Sequence, residues 1–205
     1  DSLLLHANLA MLQAKGQGGC GFHFYDERIN LQAHSLIEFE SSLRQALRRN
    51  EFELHYQPRV DLGSGRIVGL EGLIRWRHPE RGLLGPGEFI PLAEETGLIV
   101  PMGYWVIVRA CHDLARMQKR GMAPVHVAVN MSFRQFQDSR LLSTVRRLLE
   151  RTGIDPHWLE FELTETAVMQ QPEQVLMTMD GMTGLGLRFS LDDFGTGFSS
   201  FVHLH

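Results

Sequence analysis

From residue 52 onward, short apolar runs alternate with longer amphipathic stretches. Phe52-Glu53-Leu54-His55-Tyr56 alternates apolar and polar positions as a half-buried strand does, and leads into Gln57-Pro58. Proline cannot donate to a ladder, so Pro58 marks an edge strand or a strand end. The turn-forming segment Asp61-Leu62-Gly63-Ser64-Gly65 separates this run from a second strand at residues 66–75, which predicts a hairpin. Three further apolar runs, at 125–130, 159–165 and 187–193, read as buried strands. Between them, residues 87–98 predict a loop and short helix, and 103–121 a longer helix ended by glycine. Residues 141–152 predict an amphipathic helix stopped at Gly153, and 172–182 another helix. Strands alternating with helices imply βα units and a parallel sheet, hence an α/β fold.

Upstream, residues 3–17 read as a helix stopped by glycines, and Gly21-Phe22-His23-Phe24-Tyr25 as a short strand. One helix and one strand cannot bury a core alone. Residues 1–28 are therefore the end of a preceding domain or an appendage of the main one. Leu31, Leu36, Ile37, Phe39, Leu43, Ala46 and Leu47 are spaced as one face of a helix, so residues 29–49 predict a connecting helix. Residues 50–205 form the main domain. It holds five strand candidates, whereas a closed α/β barrel needs eight strands and about 250 residues. The chain is expected to stop inside that domain.

Composition adds limits. Of the 205 residues, 43% are hydrophobic and 21% charged, enough for a substantial core and unlike a disordered chain. The net charge of -4 gives no support for DNA or RNA as a partner. Cys20 and Cys111 have no metal-type spacing and read as ordinary reduced thiols. The longest apolar stretch, 98–108, is interrupted by Pro101 and Gly103 and is too short to span a bilayer. No signal peptide is visible, so a cytoplasmic domain is expected. The chain begins at Asp1 without a methionine, which leaves an upstream membrane anchor open.

Candidate chemistry sits inside or at the ends of the strands. Glu71 interrupts an apolar strand, where an unpaired carboxylate is costly to bury; it faces solvent, pairs with Arg75, or serves a site. Arg75 shares its strand face and suits either that ion pair or a phosphate. Asn130 ends the Val-rich strand, as a cap, a turn former or a ligand. Glu162 and Glu165 face opposite sides of their strand and should not share a role, whereas Glu160 points the same way as Glu162. Asp192-Asp193, followed by Phe194-Gly195-Thr196-Gly197, sets two repelling carboxylates before a glycine-rich loop, a cluster that favours a cation. Carboxylates and an amide are hard oxygen donors suited to Mg²⁺, Mn²⁺ or Ca²⁺. Parallel strands ending in them would gather them at one face, where α/β barrels keep their chemistry.

These segments together resemble the EAL domain of cyclic-di-GMP phosphodiesterases. The resemblance rests on Tyr56-Gln57-Pro58, on Glu71-Gly72-Leu73-Ile74-Arg75-Trp76 and on residues 88–99. Val129-Asn130-Met131-Ser132, Glu162-Leu163-Thr164-Glu165 and the Asp192-Asp193 loop complete it, in the family's order. It implies a TIM-like (β/α) barrel, incomplete in this chain, with a two-metal centre of Mg²⁺ or Mn²⁺. Glu71, Asn130, Glu162 and Asp192 would be ligands, with Asp193 serving the second metal. Glu165 would steady the glycine-rich loop, Arg75 hold a substrate phosphate, and Gln57 and Leu73 contact the dinucleotide. The implied reaction hydrolyses cyclic di-GMP to linear pGpG; the alternative is an inactive receptor for the same molecule. Residues 7–16 resemble the last helix of a GGDEF domain, implying a tandem parent with an upstream sensor, expected as a homodimer. Two features depart from the family. Gly72 stands where alanine is usual, which predicts a more flexible strand but retained metal binding. The family's catalytic lysine and its later acidic ligand have no counterpart before His205, so this chain alone is expected to be inactive.

Overall fold

The computed structural model describes residue 11 and residues 27–122, 125–164 and 172–192. Residues 1–45 and 46–205 are separate compact units. The expected helix and strand before residue 26 lie outside the described residues, as do Glu165 and Asp193.

Helix α1 (Glu27–Arg49) ends at Asn50, which takes a left-handed φ of 55° that asparagine tolerates. The second unit follows it with strand β1 (Phe52–Val60), strand β2 (Ile67–His78) and the short strand β3 (Gly82–Leu84). Helices α2 (Pro86–Thr96) and α3 (Ile99–Lys119) lead to β4 (His126–Met131), then α4 (Phe133–Phe136) and α5 (Leu141–Thr152). A 3-10 turn, Pro156–Trp158, opens β5 (Leu159–Thr164), and α6 (Pro172–Thr183) precedes β6 (Arg188–Asp192). The sheet runs β1-β2-β4-β5-β6, with β3 paired to the end of β2. β1 and β2 form the expected antiparallel hairpin, and β2, β4, β5 and β6 pair in parallel.

β1 runs through Pro58 to Val60, and of the two readings of Pro58 the edge strand holds, because β1 is the edge of the described sheet. Three other expectations need correction. Residues 87–98 hold a full helix rather than a loop with a short one, since α2 starts at Pro86, where a missing N–H costs nothing. Pro101 and Gly103 do not interrupt a helix. Pro101 falls in the first turn of α3, whose N–H groups have no partner within the helix. β3 is a sixth strand, too short to show any periodicity.

The core lies between one face of the sheet and the helices. Val127, Val129, Met131, Leu159, Phe161 and Leu163 are buried there with Ile107, Ala110 and Leu114 of α3 and Val145 of α5. The edge strand is pinned to α3: the Tyr56 hydroxyl donates to Asp113 at 2.9 Å, and Arg109 Nε donates to the same oxygen at 2.9 Å. Burial, reinforced by the Asp113 charge, pushes the Tyr56 phenol far above its usual pKa.

Candidate functional site

The opposite face of the sheet is polar. Register brings its side chains into rows, because paired residues on neighbouring strands point the same way. Gln57 lies opposite Glu71, and Arg59 opposite Gly69. Glu71 aligns with Ala128 and Ala128 with Glu160; one step along, Asn130 aligns with Glu162 and Glu162 with Ser190. Asp192 aligns with Thr164. The strand period of two therefore places Gln57, Arg59, Glu71, Leu73, Arg75, Asn130, Glu160, Glu162, Ser190 and Asp192 on one face.

Several of these touch. Asn130 Nδ2 donates to Glu71 Oε1 at 3.1 Å, which leaves the amide oxygen and a second carboxylate oxygen to serve a cation. The helix after β4 is capped by Ser132, whose hydroxyl accepts from Arg134 N, so Asn130 is not the cap. Glu71 and Arg75 do not pair as one reading of their spacing allowed. Arg75 Nη1 donates to the Ile74 carbonyl at 2.9 Å, and Asn130 takes Glu71 instead.

Glu162 is 3% exposed and contacts Arg59 Nη2. Burial raises its pKa; Arg59 opposes this, and the charges of Glu71, Asp192 and Glu160 add to the rise. Those repulsions mark the four acids as one electrostatic cluster. Burial lowers the Arg59 pKa, but Glu162, Glu160 and Glu71 outweigh it and hold the guanidinium above its usual value. Ser190 Oγ donates to Glu160 at 2.7 Å.

Oxygen donors on one face fit a hard divalent cation by type. Among the described residues, no three His, Cys, Asp or Glu side chains already close on one point. Asn130 adds an amide oxygen to the oxygen donors on this face. Sequence reasoning missed Arg59 and Ser190 as part of this cluster. Arg59 was legible as the residue two past Gln57, hence on the same strand face.

Beside Leu73 and Asn130, the middle of β2 and the end of β4 line a cavity of about 930 Å³ under α2, α3 and α4. Ile90, Met102 and Phe133 give it apolar walls, and Glu94, Glu95 and Arg134 add charge.

The EAL domain family profile matches residues 40–205. This chain belongs to the EAL domain family. MucR of Pseudomonas aeruginosa, a bifunctional diguanylate cyclase/cyclic di-GMP phosphodiesterase, is 41% identical over 202 residues, 98% of this chain and 30% of MucR. PdeR of Escherichia coli, a cyclic di-GMP phosphodiesterase, is 36% identical over 203 residues, 99% of this chain and 30% of PdeR. The EAL chain thus spans less than a third of these curated relatives. Among solved structures, the PaMucR phosphodiesterase in complex with c-di-GMP superposes with a TM-score of 0.75 at 42% identity, over 82% of this chain and 67% of that one. The fold is thus the TIM-like EAL barrel, not closed by the described strands. No described helix is long and apolar enough to cross a membrane.

Proposed function

We propose that this EAL domain serves hydrolysis of one phosphodiester bond of cyclic di-GMP to linear pGpG. The observation that supports it most is the shared polar face, where Asn130, hydrogen-bonded to Glu71, lies directly opposite Glu162. Glu71, Asn130, Glu162 and Asp192 would hold one Mg²⁺ or Mn²⁺, with Asp193 serving a second. Bound there, the two ions would lower the pKa of an attacking water and stabilise charge on the attacking and leaving oxygens.

The protein's own groups bind and orient. Arg75 would hold a substrate phosphate, its guanidinium retaining N–H donors beyond the one given to Ile74. Gln57 would reach the dinucleotide from β1 and Leu73 from β2, beside a cavity whose apolar walls suit the flat face of a base. Glu165 would steady the loop after Asp193. For the whole protein we propose residues 1–28 as the tail of a GGDEF domain and 29–49 as a connector to an EAL domain at 50–205. Upstream GGDEF and sensor domains, a homodimer and a cytoplasmic setting complete the reading.

The test is turnover of cyclic di-GMP by the full-length protein with Mg²⁺ or Mn²⁺, beside a Glu71→Ala variant. Appearance of pGpG that the variant abolishes is the expected result. Tight binding without product would favour a receptor, and neither binding nor product would overturn the reading.

A further inference from the structure

We infer that Arg59 is the protein's built-in counter-cation at this centre, paired with Glu162 where a divalent ion would bind and thereby setting the affinity for that ion. The inference rests on Glu162 being a metal ligand, as proposed above. Arg59 stands on β1, yet its Nη1 donates to Glu160 at 3.2 Å and its Nη2 contacts Glu162, both on β5. Two strands, β2 and β4, lie between. The side chain can cross them because small residues clear its path. Gly69 lies beneath it, where an added Cβ would meet Arg59 Cδ at 3.6 Å, and Ala128 occupies the row of Glu71 and Glu160. A register shift between Arg59 and Val60 falls at the same point, and such bulges re-aim side chains.

The pair is asymmetric. Arg59 is 40% exposed, Glu160 17% and Glu162 3%. Glu162 is fixed among the strands, whereas the guanidinium already reaches water. An arriving cation can therefore take Glu162 while Arg59 withdraws to solvent and to Glu160, itself held by Ser190. Until then, Arg59 offsets carboxylates that would otherwise repel one another. A purely structural strap across the sheet would make the opposite prediction, since removing it would loosen the ligands and weaken metal binding.

The test uses the full-length protein, stripped of metal by a chelator and titrated with Mn²⁺ by calorimetry or by electron spin resonance of the free ion. Arg59→Met is expected to bind Mn²⁺ at least about tenfold more tightly, because a positive charge a few ångströms from the ion is removed at an effective dielectric of about 20. Arg59→Lys keeps the charge and is expected to stay within about threefold of the wild type. Metal-free Arg59→Met should melt below the wild type, since Glu162 loses its partner. Saturating Mn²⁺ should then raise its Tm by more than it raises that of the wild type. If Arg59→Met does not fold, Arg59→Gln removes the charge with a polar side chain and carries the same expectation. Unchanged or weaker Mn²⁺ binding in the neutral variant, with Glu71→Ala still abolishing it, would overturn the role of Arg59 and leave the metal centre standing. No Mn²⁺ binding by the wild type, or binding that Glu71→Ala does not weaken, would overturn the metal centre itself and Arg59 with it.

Discussion

Val127, Val129, Phe161 and Leu163 are buried beneath the helices, while their chain neighbours Asn130, Glu160 and Glu162 stand on the other face among charges and hydrogen bonds. The same strands supply both faces, so backbone pairing is common to them and only the side chains differ. On the packed face, stability follows the apolar area removed from water. On the polar face, neighbouring carboxylates repel, and one arginine offsets them. The first face should therefore be costly to alter and indifferent to metal, and the second cheap to alter and decisive for metal.

The packed face gives the largest expected loss. Phe161 is fully buried and its ring packs 5.8 Å from that of Phe189. Phe161→Ala should destabilise the protein by about 3–5 kcal/mol. Denaturant unfolding measures this, and a loss well under 2 kcal/mol would mean that the helices do not seal this face.

Gly103 tests the packing one layer out. A Cβ there would lie 1.4 Å from Gln135 Nε2, and Gln135 is buried. Gln135 could move only by giving up its bond from Ser132 N at 2.7 Å, which closes the cap of α4. Gly103→Ala should therefore cost about 1–3 kcal/mol by overpacking. Thermal unfolding with and without Mn²⁺ should show the same loss in both, because neither Gly103 nor Gln135 is among the proposed ligands.

Glu162→Gln probes the polar face itself. The raised pKa of Glu162 means that ionisation is disfavoured in the metal-free fold. Its favourable contribution is present below the unfolded carboxyl value and is lost as pH rises through the raised folded value. Glutamine keeps the shape without the charge, and Arg59 retains Glu160 as a partner. The metal-free variant should be as stable as the wild type at neutral pH or more stable by up to about 1 kcal/mol, with the gap closing on acidification. Melting curves across that range, in a chelator, check this. A clear loss of stability at neutral pH would show that the Arg59–Glu162 pair stabilises the fold.

The contrast between the faces also explains what the sequence made legible. Strand periodicity placed Glu71 with Arg75 and Glu160 with Glu162, because alternation survives wherever one face is buried. It misread α3, since Pro101 sits where a helix tolerates proline and Gly103 where Gln135 fills the space a side chain would take. Both facts belong to tertiary neighbours, not to the local pattern. Arg59 was overlooked for a similar reason: its partners stand three strands away, and its spacing to Gln57 says which face it joins but not how far it reaches.

Gly72 lies between the two regimes and gives the smallest effect. It separates Glu71 from Leu73 on the packed side of β2, where an added Cβ would stand 3.3 Å from Val129 Cγ1, 3.4 Å from the Ala128 carbonyl oxygen and 3.5 Å from Tyr56 Cε1. Only the Val129 contact is tight, by a few tenths of an ångström, and that side chain can yield by that much; the Ala128 oxygen and the Tyr56 ring stand at ordinary contact distance. Against this, glycine in a strand carries an entropic cost of about 0.5–1 kcal/mol relative to alanine. Gly72→Ala should thus stabilise the protein slightly, by less than about 1 kcal/mol. Mn²⁺ affinity should not change, because the new methyl faces Val129 and Tyr56 rather than Glu71. Paired unfolding and Mn²⁺ titrations would expose the error if stability fell, which would mean that Val129 cannot move. Altered Mn²⁺ binding would mean that the two faces are coupled through the strand itself.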